Sequence, residues 1–77
     1  MDLEYTKIIE PAEDDRGTSY SAFFPDLPGC TTWGATLDEL RENAQVAVSE
    51  HIAALRDLGK PIPPPRMRAG TVSVKAS

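Results

Sequence analysis

The chain has 77 residues, 40% of them hydrophobic and 26% charged, with a formal net charge of −4. That length and balance suit one small folded domain over residues 1–77 and no more, and they exclude a disordered tail. A single cysteine, Cys30, excludes an intrachain disulfide, and a single histidine, His51, leaves a zinc site short of its usual ligands. Self-association is the remaining way to reinforce so small a core, so a homo-oligomer is expected.

Charge is unevenly placed. Twelve acids and four bases lie between Asp2 and Asp57, a net −8, and four bases with no acid follow, a net +4. Nucleic-acid recognition needs a basic footprint, so the chain is expected to bind no DNA by itself; a basic protein would be attracted. The longest uncharged apolar run, Ile52 to Leu55, is far too short to cross a bilayer, and the N-terminus has no apolar targeting core. With a lone unpaired cysteine, these features point to the cytoplasm and away from a membrane.

In chain order, Leu3 to Ile9 alternates well enough to predict a first strand. Glu10 to Thr18, with Pro11, three consecutive acids and Gly17, reads as a solvated hairpin connection. Tyr20 to Phe24 is a second strand, with Tyr20, Ala22 and Phe24 on one face and Ser21 and Phe23 on the other. Pro25-Asp26-Leu27-Pro28-Gly29 breaks it, and Cys30 to Trp33 makes a short third strand. Thr36 and Glu39 form a capping-box pattern, and apolar residues recur at helical spacing from Leu37 to Leu58. Gly59 is a natural stop. A stiff proline-rich connector, Lys60 to Arg66, leads to a last short strand over Thr71–Lys75. The order β-β-β-α-β predicts an α+β domain with one helix packed on a small, mostly antiparallel sheet.

No residue set points to catalysis, a cofactor or a metal. Cys30 would need a base, and His51 falls inside the apolar face of the helix, where a histidine ordinarily packs. Cys30 itself reads as a small buried hydrophobe. The carboxylates Glu10, Glu13, Asp14, Asp15 and Asp26 are scattered, three of them in one loop, which is poor preorganisation for a metal-dependent nuclease. The surface is more informative. Aromatics on both faces of the second strand cannot all lie under one helix, so one sheet face needs another subunit or a partner. Pro25 and Pro28 stiffen the turn and lower the entropy lost when something docks there. Phe23 and Asp26 are expected in the desolvated contact, with Glu13, Asp14 and Asp15 steering the encounter.

The run Tyr20-Ser-Ala-Phe-Phe-Pro-Asp-Leu-Pro-Gly-Cys-Thr-Thr-Trp-Gly-Ala-Thr-Leu-Asp-Glu-Leu, with Asn43-Ala44 in the helix and Pro61-Ile62-Pro63 after it, resembles the HicB antitoxin family. The resemblance covers nearly the whole chain in the right order. It implies a partial ribonuclease-H-like fold and a type II antitoxin that is no enzyme itself. Such an antitoxin binds a HicA-type toxin, a small basic mRNA-cleaving ribonuclease, and blocks its catalytic histidine. It also implies homo-oligomers. Many members continue into a C-terminal DNA-binding domain, for which these 77 residues leave no room. The alternative is an orphan regulatory or ligand-binding domain of the same fold without a cognate toxin.

Overall fold

The computed structural model describes residues 2–76. Three strands precede one helix: β1 Ile8–Asp14, β2 Gly17–Phe23, β3 Thr31–Gly34 and α1 Leu37–Asp57. The strands form one antiparallel sheet in the order β1-β2-β3, and α1 lies over β3 and β2 but not over β1. The chain is therefore α+β, as its pattern predicts.

β1 occupies Ile8–Asp14 rather than Leu3–Ile9, and the stretch expected to be a loop is mostly strand. Asp15 and Arg16 alone make the turn. Asp14 Oδ1 accepts the N–H of Arg16 at 2.8 Å, and Gly17 takes a φ of +115°, which side-chain-bearing residues resist. That turn sets the register from Asp14 opposite Gly17 to Ile8 opposite Phe23. Pairing then outweighs the low strand propensity of the acids. Pro11 has no N–H to offer, and it is tolerated because β1 is an edge strand.

The connection from β2 to β3 builds the core. The N–H of Leu27 donates to Phe24 O at 2.9 Å and the N–H of Cys30 to Leu27 O at 3.0 Å, so two β-turns follow one another. Pro28 followed by Gly29 at φ +85° is the signature of a type II turn. The double turn drives Leu27 fully inside, beside Phe24, Cys30 and Ala44. Three of these four core residues come from the turn and its two ends, and the fourth from the helix.

α1 begins and ends on local signals. Thr36 Oγ1 accepts the N–H of Glu39 at 3.1 Å, and Glu39 Oε1 reaches back to the N–H of Ala35 at 3.1 Å. The capping box thus closes one residue further out than its usual form. At the far end Lys60 N–H donates to Leu55 O and Gly59 N–H to Arg56 O, with Gly59 at φ +68°, a Schellman stop. Gly34 lets the helix come close. A Cβ there would lie 2.4 Å from Leu40 N and 2.7 Å from Leu40 Cα.

After the helix the described residues run without regular structure but are fastened to the body. Tyr5 Oη donates to Pro63 O at 2.6 Å, and Thr6 Oγ1 donates to Met67 O. Asp26 Oδ2 accepts the N–H groups of Arg66 at 2.8 Å and Met67 at 2.9 Å. The strand expected over Thr71–Lys75 does not form; Val72 and Val74 are 87% and 82% exposed. The alternation is present, but no sheet edge of its own chain lies against it. The radius of gyration, 15.0 Å, accordingly exceeds the about 11–12 Å of a compact chain of this size.

Candidate protein-docking site

Register decides which side chains look away from the helix. Ala22 and Gly34 point toward α1 and are buried. Phe23 has the opposite parity, and its cross-strand neighbours are Ile8 on β1 and Thr31 on β3. Trp33, two residues beyond Thr31, shares that face. Ile8, Phe23 and Trp33 therefore form an apolar band across all three strands on the side without a helix. Phe23 is 39% exposed and Trp33 55%. The band is backed by a rigid frame, because Asn43 Nδ2 on α1 donates to Trp33 O at 2.7 Å and ties β3 to the helix.

The residues expected from sequence to meet a partner fall into two groups. Phe23, Pro25, Asp26 and Pro28 gather at one end of β2, with Pro28 exposed and Pro25 and Asp26 half-buried. Glu13, Asp14 and Asp15 stand exposed around the hairpin tip at the other end. The seven residues of β2 separate the groups by about 20 Å at 3.4 Å per residue. A contact patch of ordinary size centred on Phe23 and Trp33, about 16 Å in radius, stops short of the hairpin tip, so the acids suit a rim that acts at a distance. Asp26 is already engaged inside the chain through its two backbone amides, and its expected place in a contact is shared with that duty.

Trp33 is the residue that sequence reasoning passed over. Its exposure depends on the pairing of Phe23 with Thr31, which no local pattern reveals. Leu27 was likewise read only as part of a breaker, whereas it is the centre of the core.

The candidate chemical groups are placed quietly. Cys30 is buried and unpaired, and burial pushes its thiol above the ordinary range, away from thiolate reactivity. His51 is half-buried on α1. Among the described residues no group of three His, Cys, Asp or Glu side chains could hold a metal. No helix among them is long and apolar enough to cross a membrane.

A small sheet backed on one side by a helix, with an apolar band exposed on the other and an acidic rim, defines a class: an α+β module that presents a surface. Comparison with known proteins names the class more closely. The family model described as HicB_like antitoxin of bacterial toxin-antitoxin system matches residues 5–74, and the chain belongs to that family. A chain of a solved structure described as "HicA3 and HicB3 toxin-antitoxin complex" is similar as well. It is 34% identical, with a TM-score of 0.63, over 82% of this chain and 70% of that one. A search of curated proteins returned no match.

Proposed function

We propose that the chain is the antitoxin of a type II toxin–antitoxin pair and silences a HicA-type mRNA-cleaving toxin by occupying it. The observation that carries this reading is the likeness to a chain of a toxin–antitoxin complex over most of both chains. The physical picture agrees with it. Phe23 and Trp33 supply desolvatable aromatic area on a rigid sheet, the kind of anchor that dominates docking energies. The stiff turn with Pro25 and Pro28 borders them. The −8 body, with Glu13, Asp14 and Asp15 at its tip, attracts a basic ribonuclease and repels RNA and DNA alike.

On this reading the chain performs no chemistry, acts as one unit over residues 1–77, binds no operator by itself and works in the cytoplasm, where messenger RNA is cut. The test is to titrate purified chain into the toxin encoded by the neighbouring reading frame and follow RNA cleavage. Stoichiometric loss of cleavage is expected. Undiminished cleavage with the chain in excess ends the antitoxin reading and leaves the orphan-domain one in its place. Metal-dependent RNA cleavage by the chain alone, abolished by Asp26→Asn, would make it a nuclease.

A further inference from the structure

A groove runs between α1 and the segment 2–7 that precedes β1, on the helix side of the sheet and so behind the band of Phe23 and Trp33. Its deeper part is a cavity of about 300 Å³ that reaches the core residues Phe24 and Ala44, with Tyr5 and Val48 in its lining and Lys7 and Arg41 beside them. A second cavity of about 300 Å³ shares Leu3, Tyr5 and Val48 with the first and continues along the helix to Ile52 and Arg56. The helix rises about 17 Å from Arg41 to Ile52. The wall opposite it is fastened, because the hydroxyls of Tyr5 and Thr6 donate to the carbonyls of Pro63 and Met67.

Charge says what fits. Four bases stand among the twelve acids between Asp2 and Asp57, and three of them, Lys7, Arg41 and Arg56, line this groove. At the deeper end Lys7 and Arg41 stand against a single acid, Glu4; at the other end Arg56 is matched by Asp2. Among the described residues the one ion pair joins Arg41 to Asp38 at 3.5 Å. It is exposed, and such pairs hold weakly, so Arg41 is free to turn to a ligand. Half-buried Lys7 has no carboxylate of its own among those residues. We propose that the groove binds a small carboxylate with an apolar tail, its head between Lys7 and Arg41 and its tail laid over Tyr5 and Val48 toward Ile52. A concavity of this size with an apolar floor and a few placed polar groups is the common form of a small-molecule site. Inorganic phosphate lacks the apolar body that the floor accepts, and an amphiphilic cation brings the wrong sign to the head. The ligand bridges segment 2–7 to the helix and leaves Phe23 and Trp33 uncovered, so the site does not depend on the toxin.

Sodium decanoate is the probe, titrated to millimolar concentration into the full chain and followed by NMR. Saturable shifts are expected at Tyr5, Val48 and Ile52, while the emission of Trp33, the chain's single tryptophan, should not move. Burial of the tail sets the affinity, so decanoate should bind about tenfold or more tighter than hexanoate, which is four methylenes shorter. Lys7→Gln with Arg41→Gln should weaken decanoate about tenfold or more while the circular dichroism of the free chain stays that of the parent, and Lys7→Arg should keep the binding. Decyltrimethylammonium, with the same tail and the opposite charge, gives a check on the parent chain itself and should bind more weakly than decanoate. The proposal is overturned if millimolar decanoate produces no saturable shifts, or if the shifts centre on Phe23 and Trp33. It is equally overturned if the double variant binds decanoate as tightly as the parent does, or if the cationic amphiphile binds as tightly as the carboxylate.

Discussion

Phe24 lies in the core with Leu27, Cys30 and Ala44, whereas Phe23, the residue before it, stands on the opposite side of the sheet beside Trp33. The same ring chemistry serves stability at one position and is left available to a partner at the other. The difference is one step of strand parity. It shows that in this chain the inner face is finished by the double turn and the helix, while the outer face is left unfinished.

Substitutions can break that contrast, beginning with the inner face. Phe24→Ala should cost about 3–5 kcal/mol and Leu27→Ala about 2–5, against a total stability on the order of 4–12 for 77 residues. Urea titration should find both variants largely unfolded or close to it. Gly34→Ala follows at about 1–3 kcal/mol, because the new Cβ meets the backbone of Leu40 rather than a side chain that can move. Gly70→Ala meets open space and should leave the unfolding midpoint where it is.

On the outer face the order reverses. Phe23→Ala and Trp33→Ala should shift the unfolding midpoint little but raise the off-rate of bound toxin about 30-fold, the size of a hot spot of about 2 kcal/mol. Neutralising Glu13, Asp14 and Asp15 together should instead lower the on-rate, and more so at low salt, since charges beyond about 8–10 Å are screened at physiological ionic strength. Surface plasmon resonance against the toxin separates the two effects. If Phe23 and Trp33 variants bind unchanged, the outer face is not the contact.

Alkaline pH gives the smallest effect and reports on the inner face alone. Burial pushes the Cys30 thiol up; burial and the nearby Asp26 carboxylate push the Tyr5 phenol up. In both, the fold favours the neutral form. The contribution is complete below the ordinary value and is lost as pH rises through the folded-state value. Thermal melts should therefore show falling stability from about pH 9, the ordinary thiol value, and Cys30→Ala should flatten the first part of that fall.

How much could be read without the structure followed the range of each signal. The helix was predicted from Leu37 to Leu58 and found at Leu37–Asp57, because Thr36, Glu39 and Gly59 act within one turn of their own positions. The two faces of β2 followed from alternation. β1 was misplaced because its acids and Pro11 resemble a loop; their strand state comes from pairing with β2 across a two-residue turn. The valines of Thr71–Lys75 alternate as a strand should, but a strand also needs an edge, and local sequence does not supply one. The two ends of the site differ in the same way. The Phe23 face and the proline turn were legible, while Trp33 depends on β2–β3 register and the grip of Asp26 on Arg66 and Met67 spans residues forty apart.

That grip has a consequence for how the chain holds its shape. In a domain with one thiol, Asp26 serves as a cross-link, tying the turn to a point forty residues further on and shrinking the space the proline-rich stretch can explore. A covalent bridge would hold even in a loosened molecule; a carboxylate accepting two amides holds only while its turn keeps its shape. Core and C-terminal segment are thus mechanically one piece: a lesion at Leu27 that relaxes the turn also casts off the segment at its mooring and scatters the direction in which Val72 and Val74 are presented.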